Sequence, residues 1–198
     1  MMKLIVITSP AFLADEGASV NALFEAGLEI LHLRKPHSSS DEVERLVQSV
    51  SEPFRNRIVL HEHFELVGKY GLKGIHLNAR NPVAPEGYHG HISRSCHSLQ
   101  EVEEWKAVCD YVFLSPIYDS ISKEGYGAHF TAEQLQDARL CGLIDEKVVA
   151  LGGICADNIP EVNSFGFGGV ALLGDVWNRE GTEFIPHFHQ LLQIIQSK

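Results

Sequence analysis

Long apolar runs are missing from this chain. No segment approaches the ~20 consecutive apolar residues that a bilayer-spanning helix needs, so no membrane partner is expected. Residues 1–8 (M-M-K-L-I-V-I-T) hold too few apolar residues before Ser9 and Pro10 to read as a secretory leader. Positive charge is also scarce: 16 Lys and Arg face 26 Asp and Glu, a formal net charge of −10. Such an acidic surface argues against nucleic acid or an anionic membrane as a partner, while a local basic pocket for a small anion is still compatible with it. The four cysteines, Cys96, Cys109, Cys141 and Cys155, are scattered and form no C-x-x-C pair. That spacing suggests neither a zinc ribbon nor a disulfide framework, and reduced thiols in the cytoplasm are the expectation. Low-complexity segments and domain boundaries are absent too, so residues 1–198 read as a single domain, 44% hydrophobic and able to bury a core.

What is present is a rhythm. G-L-E-I-L-H-L-R at 27–34, G-L-K-G-I-H-L-N at 71–78, C-D-Y-V-F-L-S at 109–115 and G-G-V-A-L-L-G at 168–174 each hold a short apolar strand followed by a polar or glycine position. Reading outward from these gives eight strands, near 4–7, 28–33, 57–60, 74–77, 92–95, 111–114, 147–151 and 169–173. Helical stretches alternate with them. Ser38 to Glu42 cap one, Ser98-Leu99-Gln100-Glu101 reads as a capping box, Thr131 opens another, and Pro53 is expected to stop the second helix. Residues 81–90 read as a loop or stunted helix, and 116–130 as the longest stretch without apolar periodicity. A doubly wound open sheet is the rival. The count of eight, with glycine turns after the last two strands, favours a single (β/α)8 TIM barrel of the α/β class.

In such a barrel the reacting groups lie at the C-terminal strand ends. Those ends carry His32, Arg34 and Lys35; His61, Glu62 and His63; His76 and Asn78; Ser93, Ser95 and His97; Ser115 and Ser120; Gly152 and Gly153; and Gly174. His32 and Arg34 share strand parity and can both point into the mouth. Bare peptide N–H groups at Gly152-Gly153 and Gly174 can cradle a phosphate, or the glycines serve only tight turns. Arg34 is an anion clamp or the partner of a rim carboxylate. Lys123, in the 116–130 loop, is a ligand contact or a solvated side chain. His61-Glu62-His63 lacks the helical H-E-x-x-H spacing of a zinc site, although His61 and His63 would share a strand face. Trp105 and Trp177 read as packing residues and Cys155 as a buried thiol.

At these residues the chain resembles the thiamine phosphate synthase/TenI family along nearly its whole length. L-H-L-R-K-P at 31–36 is similar to Q-L-R-x-K, G-I-H-L-N at 74–78 to G-V-H-L-G, and S-R-S-C-H-S at 93–98 to G-x-S-x-H-S. D-Y-V-F-L-S-P-I-Y at 110–118, A-L-G-G-I at 150–154 and G-V-A-L-L-G at 169–174 are similar to D-Y-V-x-x-G-P-I-F, A-I-G-G-I and G-V-A-V-V-S. The resemblance implies a barrel of thiamine biosynthesis that binds small phosphorylated thiazole or pyrimidine ligands. It implies Gly152, Gly153, Leu173 and Gly174 as the thiazole-phosphate contact, Ser95, Arg34 and Lys123 as the diphosphate contact, and His76 as a pyrimidine-pocket residue. Mg²⁺ is implied only for a synthase; Glu62 is a weak candidate ligand, and the family's second aspartate corresponds to Asn81. The synthase pattern has Gln at His32 and a second basic residue at Pro36, with Lys35 adjacent. His32 and S-R-S-C-H-S-L are closer to the TenI branch, whose members are thiazole tautomerases, but that branch's usual histidine corresponds to Pro116.

The expectation is therefore a TenI-like enzyme moving a proton on a thiazole phosphate without metal, with His32 or His61 as catalytic base and His97 as a substitute. A thiamine phosphate synthase with altered Mg²⁺ ligands and a non-catalytic binder of thiamine phosphates are the alternatives. An apolar final helix on an acidic barrel leaves a homodimer open.

Overall fold

The computed structural model describes residues 2–119, 130–179 and 183–196. Strands β1 (Lys3–Ile7), β2 (Ile30–Leu33), β3 (Ile58–Leu60), β4 (Gly74–Leu77), β5 (His91–Cys96), β6 (Tyr111–Leu114), β7 (Val148–Leu151) and β8 (Gly169–Leu172) pair in sequence order, all parallel. β8 returns to β1, so the sheet is a closed barrel, as the strand count implied. Around it run α1 (Glu16–Glu25), α2 (Ser40–Ser49), α3 (Glu52–Arg55), α4 (Glu65–Tyr70), α5 (Leu99–Trp105), α6 (Ala132–Leu140), α7 (Ile159–Ser164), α8 (Gly174–Trp177) and α9 (Phe184–Gln196). Among the described residues no helix is long and apolar enough to cross a membrane.

Strand parity divides the core in two. Leu31, Leu33, Val112, Leu114, Val148 and Ala150 belong to the large cluster between sheet and helices. Ile5, Ile7, Ile30, Val59, Tyr111, Phe113, Val149 and Ala171 belong to a smaller cluster inside the barrel. Because the strands are apolar on both faces, any polar residue of inward parity is forced into a dry interior and must find a partner there.

Local signals account for several helix starts. Ser39 and Glu42 form a reciprocal capping box on α2, as do Thr131 and Gln134 on α6. At α5 the expected box is only half formed: Ser98 accepts from the Glu101 N–H, but the Glu101 carboxylate reaches one residue further back and accepts from the His97 N–H. Pro53 does not stop the second helix. α2 ends at Ser49, and Pro53 instead sits in the first turn of α3, where its missing N–H costs nothing. No helix forms between β4 and β5; residues 78–90 cross as a loop, in keeping with their prolines and glycines.

Candidate functional site

Six interior polar side chains, from five consecutive strands or the residues just after them, meet below the mouth of the barrel. His32 lies on β2, His61 directly follows β3, His76 lies on β4, Ser93 and Ser95 on β5, and Tyr111 on β6. His32 Nδ1 and His61 Nε2 are 2.9 Å apart, and His32 Nε2 lies 2.6 Å from the Tyr111 hydroxyl. His76 is bracketed by hydroxyls, with Nδ1 2.8 Å from Ser93 Oγ and Nε2 2.8 Å from Ser95 Oγ. Phe113 packs against both His32 and His76, with ring centroids 4.7 Å from each. His32, His76 and Ser93 are fully buried, Tyr111 nearly so, and His61 is 4% exposed.

Burial sets the charge state. Desolvation, then the neighbouring imidazoles, hold His32 and His61 well below the ordinary histidine range. Desolvation, then Arg94, His91 and Arg34, push His76 down to about 3. All three rings are therefore neutral at physiological pH, each with one N–H and one bare nitrogen. Burial also raises the Tyr111 phenol, which stays protonated. Only His61 has a nitrogen to spare. Among the described residues its Nδ1 makes no hydrogen bond, and the one buried side-chain N or O atom without a partner is His91 Nε2. Among the described residues His61 Nδ1 is thus the one nitrogen of the three imidazoles without a partner, on a residue 4% exposed just after β3.

The three imidazoles lie with nitrogens within 4.8 Å of one another, a grouping that raises a metal ion. The geometry fits a hydrogen-bond network better. Both nitrogens of His32 and of His76 already have partners. The His61 and His76 rings stack at 4.2 Å with planes 23° apart, so their in-plane lone pairs run side by side instead of converging. No carboxylate joins them to offset a buried dication. His63 has turned away: its backbone is left-handed (φ 55°) and its Nε2 lies 2.9 Å from the Ser38 carbonyl, so it makes no pair with His61.

The rim is cationic. Arg80, which the sequence reading passed over, donates from Nη2 to Glu62 Oε1 at 2.6 Å. Glu62 Oε2 accepts from the Lys35 peptide N–H at 3.4 Å. Arg34 follows β2 and is half-buried. Desolvation and the nearby Arg80 lower its guanidinium pKa, opposed by Glu62, yet it stays charged. Among the described residues its side chain makes no hydrogen bond, which leaves five N–H donors beside the mouth. Lys35 does not substitute for a second basic residue there. It shares the outward parity of Leu31 and Leu33, and its ammonium is buried against both Glu16 oxygens (2.7 Å) and the Ser9 and Ala11 carbonyls (2.8 Å). Glu62 and Asn81 fit Mg²⁺ poorly as arranged: Glu62 is held by Arg80, and Asn81 Nδ2 donates to the His61 carbonyl at 2.9 Å.

Across the mouth, Gly152 and Gly153 follow β7 with φ of 99° and 63°. Their need for glycine has a packing cause. A Cβ on Gly152 would lie 2.8 Å from the Pro116 Cα, and one on Gly153 would lie 2.5 Å from the Asp119 carbonyl. The loop after β6 is laced to this turn, Ile117 N–H donating to the Leu151 carbonyl and Tyr118 N–H to that of Gly152. Leu173 and Gly174 form the turn into α8. His97 is exposed, with Nδ1 3.1 Å from the Ser115 carbonyl, beside Pro116. Lys123 and Ser120 lie outside the described residues. Ser93 was among the strand-end candidates, whereas Tyr111 was missed because it sits in a strand read only for its hydrophobicity. Its shared inward parity with Phe113 was the available signal.

Comparison with known proteins agrees with this architecture. A thiamine-phosphate synthase of Phocaeicola vulgatus is 28% identical over 176 residues, covering 80% of this chain and 82% of that protein. One from Halalkalibacterium halodurans is 26% identical, covering 90% and 89%. A crystal structure described as thiamine phosphate pyrophosphorylase from Bacteroides thetaiotaomicron superposes with a TM-score of 0.90 at 47% identity, covering 98% of each chain. One described likewise from Pyrococcus furiosus, at 20% identity, shares the fold with a TM-score of 0.76. The family model for thiamine monophosphate synthase (TMP-TENI) matches residues 4–176, and the chain belongs to that family.

Proposed function

We propose that this member of the family binds a thiazole phosphate and moves a proton on its ring without a metal, in the manner of the TenI branch. The observation that carries the reading is the neutral histidine cluster with one nitrogen, His61 Nδ1, that has no partner among the described residues. A bare imidazole nitrogen is a competent general base near neutral pH, and such catalysis contributes roughly 10²–10⁴-fold. His32, with both nitrogens engaged, acts behind His61 and does not touch the substrate. Arg34 clamps the anionic end of the ligand. The peptide N–H groups of Gly152, Gly153, Leu173 and Gly174 receive the phosphate, and Ser95 faces the ring with His76 held behind it. The arrangement of Glu62 with Arg80 supports metal independence, since a cation already occupies the carboxylate.

The names of the relatives favour a second reading with at least equal weight: thiamine phosphate synthase, joining a pyrimidine diphosphate to a thiazole phosphate with Mg²⁺. That reading requires Arg80 to release Glu62. Two assays on the purified protein decide between them. Aromatisation of a thiazole carboxylate phosphate, unchanged by EDTA, is the expected result. EDTA-sensitive pyrophosphate release from the two synthase substrates, with no aromatisation, would overturn it. Binding of thiamine phosphate with turnover in neither assay would make the protein a binder alone.

A further inference from the structure

Glu62, just past β3, is gripped from two sides. Its Oε1 accepts from Arg80 Nη2 at 2.6 Å and its Oε2 from the Lys35 N–H at 3.4 Å. Arg80 is presented by a fastened turn. The Asn78 and Asn81 peptides exchange N–H to carbonyl hydrogen bonds at 3.1 Å each way, and Asn78 Oδ1 accepts from the Arg80 N–H at 3.0 Å. Both asparagine amides donate to the His61 carbonyl, at 3.1 and 2.9 Å. Arg34 stands on the other side of His61. One step past the pairing of Leu33 with Leu60, the β2–β3 register sets Arg34 beside His61, and the His61 N–H donates to the Leu33 carbonyl at 3.2 Å. Arg34 keeps the inward parity of His32, and His61 that of Val59. Two guanidiniums and one carboxylate thus gather about His61. Their charges are felt there: beyond desolvation and the neighbouring imidazoles, both Arg34 and Arg80 lower the His61 pKa.

The count of charge decides what this edge of the mouth can hold. Arg34 and Arg80 each bring a permanent positive charge, and Glu62 cancels one of them. We infer that Glu62 is a specificity-determining residue: by holding Arg80 it leaves the edge with a single positive charge in excess, enough for a ring carboxylate and too little for a diphosphate. The inference rests on the thiazole carboxylate phosphate reading above and names what in the chain selects that ligand. The ligand carboxylate meets the Arg34 fork, whose donors are all unengaged among the described residues, while the phosphate lies at the glycine turns across the mouth. A diphosphate at the Arg34 edge would bring several negative charges against the Glu62 carboxylate. With both of its oxygens held, Glu62 is kept in place to repel it, so the selection works by exclusion as well as by attraction. Arg80 has a second part in this. It keeps the Glu62 charge from repelling the carboxylate that the site is built to accept.

Calorimetry with inorganic pyrophosphate in EDTA reads the claim without turnover. Glu62→Gln keeps the shape of the side chain and removes its charge. Arg80 is 41% exposed, so the pair adds little to stability and the variant should fold. Pyrophosphate should bind it about ten-fold or more tighter than it binds the wild type. Adding Arg34→Met to Glu62→Gln should abolish that gain, which separates this edge from the glycine turns. Arg80→Met leaves Glu62 unopposed and should weaken pyrophosphate binding below that of the wild type. No gain in Glu62→Gln, or a gain that survives the loss of Arg34, would overturn the role of Glu62. Wild-type affinity in Arg80→Met would overturn it as well. The expected gain and its loss, in a protein that aromatises no thiazole carboxylate phosphate, would keep the role of Glu62 and remove the proposed reaction.

Discussion

At the scale of the residue, the chemistry rests on where each nitrogen points. His61→Gln keeps a polar group of similar reach but no basic nitrogen. It is expected to cut aromatisation by roughly 10²-fold or more while leaving phosphate affinity intact, as steady-state kinetics beside calorimetry with inorganic phosphate would read. Loss of binding equal to the loss of rate would make His61 a contact and not a base. Gly152→Val, by contrast, is expected to damage folding first, because its side chain would drive into the Pro116 backbone. Thermal unfolding should show a large loss of Tm before any ligand is added. A variant with wild-type Tm would mean that the loop after β6 moves aside freely. His32, His61 and His76 were readable from sequence as strand-end histidines, but the count of engaged nitrogens was not. That count depends on which strands become neighbours.

At the scale of the element, the loop from β1 into α1 is pinned by Lys35 and Glu16, both buried and paired at 2.7 Å. Removing one partner strands a charge, so Lys35→Met should cost about 3–5 kcal/mol in denaturant unfolding. Pairing it with Glu16→Gln should recover a good part of that loss, and additive losses would contradict the pairing. Ser39→Ala removes the capping box of α2 and should cost about 1 kcal/mol; no change would make the cap incidental. Helix starts were legible where Ser or Thr precedes Glu or Gln by three positions. Pro53 was misjudged because proline marks a helix start as readily as a stop, and only the chain path decides. Lys35 was expected at the rim beside Arg34, although its parity, shared with Leu31 and Leu33, already pointed outward.

At the scale of the whole molecule, closure of the sheet turns a set of unremarkable strand residues into a dry polar interior. That interior has a pH signature. The folded pKa values of His32, His61 and His76 lie below the unfolded value near 6.5. Below pH 6.5 the unfolded chain therefore binds protons that the folded chain does not. The stability contributed by keeping these rings neutral is fully present above about pH 6.5. It falls as the pH drops, by up to roughly 4 kcal/mol per pH unit for three such sites, until near pH 3 His76 protonates in the folded state as well. Denaturant unfolding at pH 7.5 and pH 5.5 reads the slope, and equal stability at both would contradict it. The barrel itself was legible because eight apolar runs with polar or glycine ends leave few other closed arrangements. The network inside was not, since Tyr111 meets His32 across four intervening strand pairings that no local pattern records.

The account stands on three neutral imidazoles held in a dry barrel, and the most direct test is an NMR titration of their ring nitrogens from pH 8 to pH 5. We expect the His32, His61 and His76 signals to stay in the neutral form throughout. Protonation of any of the three near pH 6.5 would contradict the account.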